Sequence, residues 1–178
     1  MVRAWYMNSN DDQDQRTERH MDPPQFISLD ELKQKTGVLY WKLNADKHET
    51  DPELAKIRSD RGYTYSDKLE LSPTTLPDYE TKLKIFFTEH IHSDEEIRFI
   101  LGGKGYFDVR DVGTDVWIRI EVEKDDLLVL PAGCYHRFTP DMNDYIKVIR
   151  LFVGEPVWSP INRPADDHPA RVSYLKSF

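Results

Sequence analysis

Residues 89–111 read EHIHSDEEIRFILGGKGYFDVRD, and the way this stretch folds decides the architecture. His90 and His92 stand two apart. On a helix that spacing aims the two rings in different directions; on a strand it puts both on one face. Glu96 and Arg98 keep the same parity. A regular strand therefore lines one wall with two imidazoles, a carboxylate and a guanidinium, although a bulge near Ser93–Glu95 would weaken the alignment. The acidic run Asp94-Glu95-Glu96 offers three carboxylates, of which Glu96 is taken as the ligand. Gly102-Gly103-Lys104-Gly105 separates two strand-like runs and reads as a hairpin turn.

Working outward, Val116, Ile118, Ile120 and Val122 alternate with Trp117, Arg119, Glu121 and Glu123, a period of two. Leu127 to Leu130 is apolar on both faces, as a buried strand is. Tyr145 to Val153 is a further run. Closely spaced strands joined by short turns predict an all-β-dominated chain, its antiparallel sheet closed into a sandwich or small barrel. A few short helices decorate it upstream. Ser28-Leu29-Asp30-Glu31 is a capping box opening a helix that ends near Gly37. Val38 to Leu43 is rich in strand formers. Asp51-Pro52-Glu53 starts a second helix, with Leu54 and Ile57 on one face. Asp78 caps a third, on which Tyr79, Leu83, Phe86 and Phe87 share a stripe. Residues 8–25, polar and proline-containing, read as an exposed loop. EPVWSPINRPADDHPAR (155–171) reads as an irregular arm wrapped over the barrel. The expected organisation is one domain, 1–178: helical and strand decoration over about 1–88, a metal-binding core over about 89–153, and the C-terminal arm 154–178.

Composition narrows the classes of function. A chain of 178 residues can bury a core without staples. With 24 basic and 32 acidic residues the formal charge is −8, which disfavours nucleic acid and anionic membranes as partners. The single cysteine excludes an intrachain disulfide and a four-cysteine zinc site, and it suits a reducing compartment. No apolar run of signal-peptide length opens the chain. The longest uncharged, mostly apolar run, Leu127 to Tyr135, falls far short of the roughly 20 residues that span a bilayer. The sequence reads as a soluble intracellular protein.

A second motif, Pro131-Ala132-Gly133-Cys134-Tyr135-His136, follows the buried strand. Proline and glycine make a tight turn, and His136 opens the next strand, so its ring can come from the opposite wall. Three imidazoles and one carboxylate suit a borderline divalent metal such as Fe, Ni, Co, Mn or Zn. An octahedral ion held this way keeps two positions open, the form needed to chelate a bidentate anion. Arg98 shares the wall of the ligands and suits orienting that anion. Phe86, Phe107 and Phe138 are the candidates for an apolar pocket wall, Phe138 first because it shares parity with His136. Cys134 reads as a small core thiol. His20, His48 and His168 lie in polar or loop stretches and read as solvated. A phosphate-cradling loop ending in Lys-Thr or Lys-Ser and a G-x-S-x-G elbow are both missing.

These residues resemble the cupin pattern. Its first motif is matched by His90, His92, Glu96 and Gly103, and its second by Pro131, Gly133 and His136. Asp125 stands where the second motif usually opens with glycine, and Pro140 where asparagine is frequent; neither is a ligand. The chain more particularly resembles the acireductone dioxygenases of animals. The segments carrying this are VRAWYM (2–7), GVLYWKLNADK (37–47), DPELAKIRSDRGYTYSD (51–67), EHIHSDEEIRFIL (89–101), GYFDVRD (105–111), LPAGCYHRFT (130–139), RLFVGEPVW (150–158) and NRPAD (162–166). The resemblance implies an eight-stranded, jelly-roll-like cupin barrel with a site in its mouth. It implies one Fe(2+) or Ni(2+) per chain on His90, His92, Glu96 and His136. The implied substrates are acireductone (1,2-dihydroxy-3-keto-5-methylthiopentene) and O2, in methionine salvage. The Fe form would give 2-keto-4-methylthiobutyrate and formate; the Ni form would give methylthiopropionate, formate and carbon monoxide. A monomer is expected, in the cytoplasm with the nucleus as a second compartment. The alternatives are another metal-dependent cupin enzyme (an isomerase or small-acid dioxygenase) and a non-catalytic cupin binding protein. A phosphosugar enzyme would want several converging cations, and only Arg98, Lys104 and Arg137 lie near the motifs.

Overall fold

A computed structural model describes residues 2–178. Its strands are β1 (Arg3–Tyr6), β2 (Phe26–Ile27), β3 (Leu39–Lys42), β4 (Tyr65–Leu71), β5 (His90–Ile91), β6 (Glu96–Arg110), β7 (Trp117–Glu123), β8 (Asp126–Leu130), β9 (His136–Pro140), β10 (Ile146–Phe152) and β11 (Ile161–Asn162). Four short helices join them: α1 (Leu29–Thr36), α2 (Pro52–Arg61), α3 (Tyr79–Phe86) and α4 (Pro169–Lys176). The long strand β6 belongs to two leaves. Its first half pairs with β8 and β10, placing Glu96 opposite Leu130 and Arg98 opposite Arg150. Its second half pairs with β7 and β9, placing Phe107 between Ile120 and Phe138. One leaf is thus β3-β8-β6-β10-β4 and the other β11-β5-β9-β6-β7-β1-β2, antiparallel throughout. The jelly-roll-like cupin expectation holds, with two differences. Eleven strands replace eight, and the ladder does not close into a continuous barrel among the described residues.

The glycine run is not a hairpin. β6 continues through it as one strand, and the register against β10 skips one residue between Lys147 and Val148. Gly103 has φ +75°, and a Cβ there would sit 2.2 Å from the Tyr145 carbonyl oxygen. The glycines therefore make a bulged corner at which the strand leaves one leaf for the other.

The alternation of β7 holds on its inner face, where Ile118, Ile120 and Val122 are fully buried. Its outer face is not left to solvent. Arg119 is also fully buried, because residues 15–19 fold across it. Its Nη1 donates to the Gln15 carbonyl at 2.8 Å and to that of Thr17, while Nε and Nη2 grip Asp108 at 2.8 Å each. Asp108 also accepts from Arg137 Nε at 2.8 Å. The segment read as an exposed loop is therefore partly pinned: Arg19 is buried, and Met7 bridges His20, although residues 9–14 do face solvent.

The helices follow their local signals with two exceptions. Ser28 and Glu31 form the reciprocal capping box of α1, and Asp51 caps α2 ahead of Pro52. Asp78 precedes α3 in the left-handed region (φ 54°), and its side chain makes no capping bond. The C-terminal arm is not wholly irregular. It contains β11 and α4, and His168 caps α4 through Nδ1, which accepts from the Ala170 amide at 3.1 Å. Among the described residues no helix is long and apolar enough to cross a membrane.

Candidate metal centre

The strand carrying the first motif is broken where the bulge was feared. β5 ends at Ile91, Ser93–Glu95 leave the ladder, and β6 resumes at Glu96. Convergence survives because β9 lies alongside, with His90 directly opposite His136. The nearest donor atoms of His90, His92, Glu96 and His136 all lie within 4.8 Å of one another. His136 Nε2 is 2.6 Å, and His92 Nε2 3.5 Å, from the same Glu96 oxygen. The structure also settles which acid turns inward. Glu95 points the other way and accepts from Arg61 at 3.0 and 3.1 Å and from the Tyr63 hydroxyl at 2.8 Å, leaving Glu96 to the cluster.

Backbone carbonyls orient the rings. His90 Nδ1 lies 2.6 Å from the Thr88 oxygen, and His136 Nδ1 2.9 Å from the Cys134 oxygen. An N–H directed at a carbonyl turns Nε2 into the cluster, the arrangement that prepares imidazole for a metal. Among the described residues the buried His92 Nδ1 has no hydrogen-bond partner. Burial pushes His90 down to about 4, helped by the His136 charge, and burial lowers His92. Burial also works against a charged His136, but Glu96 first, and then the Cys134 side chain, override it and hold the ring up at about 10. Glu96 sits well below the usual carboxylate range: burial opposes its charge, and the Arg98 and His136 cations outweigh burial. Four inward donors, three of them imidazole nitrogens, fit a borderline divalent ion.

The cluster forms the floor of a cavity of about 410 Å³. Arg98 lines it, its Nη2 3.1 Å from Glu96 Oε1. Phe86, Phe107 and Phe138 line it too, Phe138 lying 4.8 Å from Phe107 and 6.4 Å from Phe86 between ring centroids. Sequence reasoning missed Arg150 and Trp158 in the same wall. Arg150 is clamped by Asp67 at 2.7 Å through two bonds and stacks 3.9 Å from the Trp158 ring. The parity of β10 could have found Arg150, once β10 was known to lie beside Arg98. Cys134 is the buried free thiol expected. The other histidines stand apart from the cluster but are not simply solvated: His20 stacks 4.4 Å from Trp5, His48 Nδ1 lies 2.8 Å from the Ala45 oxygen, and His168 caps α4.

Fold and cluster together define a cupin with a His/Glu cluster able to hold a metal ion. The sequence model of the ARD/ARD' family matches residues 3–160, and the chain belongs to that family. It is 66% identical over 178 residues to an acireductone dioxygenase of Ixodes scapularis, covering 100% of this chain and 97% of that protein. The corresponding figures for an acireductone dioxygenase of Branchiostoma floridae are 62%, 100% and 98%. A solved structure, an acireductone dioxygenase from Bacillus anthracis with a cadmium ion in its active center, superposes with a TM-score of 0.66 at 28% identity. It covers 79% of this chain and 94% of its own.

Proposed function

We propose that the chain is a metal-dependent dioxygenase that cleaves acireductone with O2, using one Fe(2+) or Ni(2+) held by His90, His92, Glu96 and His136. The observation that carries this reading is the four-donor cluster on the floor of an apolar-walled cavity. When bound, the ion would supply Lewis-acid and redox chemistry from its place among these four side chains. The protein does the rest. Arg98 presents a buried guanidinium toward the enediolate, where low polarity strengthens the attraction. Phe86, Phe107 and Phe138 exclude water and hold the methylthioethyl tail. Glu96 offsets one charge of a divalent ion, leaving a net positive site for an anionic substrate.

The Fe form would release 2-keto-4-methylthiobutyrate and formate, and the Ni form methylthiopropionate, formate and carbon monoxide, within methionine salvage. The reading extends to a single domain over 1–178, supported by a strand shared between both leaves. It also extends to a monomer of the cytoplasm, with the nucleus as a second compartment. The test is anaerobic reloading of metal-free protein with each ion, then acireductone and O2, with organic acids and headspace gas measured. Carbon monoxide should appear only with Ni(2+). Consumption no faster than that of the metal-free protein with either ion would sink the proposal.

A further inference from the structure

The C-terminal arm carries no member of the donor cluster, and residues beyond 160 lie outside the family match. Yet it grips both segments that bear the histidines. On one side β11 pairs with β5, placing Asn162 opposite His90, and the Arg163 amide donates to the Glu89 oxygen at 3.1 Å. On the other side α4 is pressed onto the Pro131–His136 turn. Gly133 has φ +79°, and a Cβ there would fall 2.2 Å from the Ala170 oxygen, so only a bare backbone lets the helix seat. Arg171 is buried, and its Nη1 donates to the Gly133 oxygen at 3.2 Å. Its guanidinium lies 4.3 Å from the Tyr135 ring and 5.4 Å from that of Tyr174. The Tyr174 hydroxyl donates to the Thr36 oxygen at 2.6 Å, and Tyr135 ties the arm through Asp166 at 2.8 Å and the Ala165 amide at 2.7 Å.

The turn so held is the one that sets two metal-facing rings. The Gly133 amide donates to the His92 oxygen at 3.0 Å. The next carbonyl along, that of Cys134, lies 2.9 Å from His136 Nδ1. A tilt of the Gly133–Cys134 backbone therefore moves His92 and His136 together. The geometry points to Arg171 as a positioning residue of the metal centre, acting through Gly133 and seated by Tyr174. The inference rests on the metal reading above and adds that the arm fixes the coordination geometry.

The test uses full-length protein loaded with Co(II), whose visible absorption reports coordination geometry. The rate of Co(II) loss to a chelator is measured alongside the melting of the metal-free form. Loss of an outer partner of a metal ligand typically costs about 10- to 100-fold in metal affinity. Arg171→Ala should therefore shed Co(II) about 10- to 100-fold faster with a changed visible spectrum, and Arg171→Lys should recover part of both. Val172→Ala, on the exposed side of α4, should match the unaltered protein. A role confined to stability would lower melting of the metal-free form and leave the spectrum and the loss rate of the folded protein unchanged; that result overturns the inference. Should Arg171→Ala not fold, Tyr174→Phe decides: a several-fold faster loss supports the clamp, and an unchanged rate overturns it. If the unaltered protein holds no Co(II), or holds it equally well as His92→Ala, the metal reading fails and the inference falls with it. Tight binding in both the unaltered protein and Arg171→Ala overturns the inference alone.

Discussion

Titrating a divalent metal into the metal-free protein near neutral pH should release about one proton per ion, and the proton comes from His136. Both of its nitrogens face acceptors, the Cys134 carbonyl at 2.9 Å and Glu96 at 2.6 Å, which is the pattern of an imidazolium. Burial resists the charge, but Glu96 first, and then the Cys134 side chain, hold the ring up at about 10. His90 is in the opposite state, pushed down to about 4 by burial and by the neighbouring cation, and burial lowers His92 as well. Neither has a proton to lose. Coordination must expel the His136 proton, so apparent affinity should rise about tenfold, or about 1.4 kcal/mol, per pH unit from about 7 until His136 titrates. In the metal-free fold the sign is reversed. The His136 value is raised above its ordinary 6.5, so the stabilisation it contributes is fully present below about 6.5 and is lost as pH rises through about 10. Calorimetry in buffers of different ionisation heat counts the protons, and dissociation constants between about pH 6.5 and 8.5 give the slope. In metal-free Glu96→Gln the anion is gone and burial acts on His136 with less opposition, so its titration, followed by NMR, should move to lower pH. A flat affinity with no proton released by the unaltered protein would refute the ion pair.

Three further outcomes are expected. His92→Ala should abolish metal retention, whereas His20→Ala, whose ring packs on Trp5 and Phe26 away from the cluster, should leave it intact; elemental analysis of the purified variants checks both. Arg98→Ala should lose a charge-assisted contact of about 1.5–3 kcal/mol, seen as roughly ten- to a hundredfold in kcat/KM with metal still bound. Unchanged kinetics with lowered stability would leave Arg98 a structural role through its bonds to Glu96 and the Ile97 carbonyl. Asp108→Asn strands two buried guanidinium groups, those of Arg119 and Arg137, at a cost of about 3–5 kcal/mol. At about 2–4 °C per kcal/mol for a chain of this size, Tm should fall by about 6–20 °C in a thermal scan.

The donor set was legible because its signals are local. The spacing of His90 and His92 and the Pro131–His136 turn each constrain a few neighbouring residues; the strand breaks before Glu96, and the pairing of β5 with β9 brings the groups together. The features that escaped depend on partners far along the chain. Arg119 looks like a solvated outward residue until residues 15–17, more than 100 positions away, fold over it. Arg150 enters the cavity wall only because β10 lies between β6 and β4. The helix α4 hid behind its start, since histidine is not among the usual capping residues and Pro169 reads equally well as a loop or as a first helical turn.

The glycine run of β6 shows the same limit and explains why the site exists. Glu96 and Arg98 precede the run, and Phe107 follows it, yet all three face one cavity of about 410 Å³. At about 3.3 Å per residue, a straight strand would place Glu96 and Phe107 some 36 Å apart, far wider than such a cavity. The strand must therefore turn between them. A hairpin would turn it, but would pair the two halves of β6 with each other. A corner instead sends the first half to β8 and β10 and the second to β7 and β9, wrapping both leaves around the cavity. What selects the corner is the Tyr145 backbone, whose carbonyl occupies the space a side chain at Gly103 would need. Glycine within a strand announces that the backbone departs from regularity; the partner strand decides in which direction.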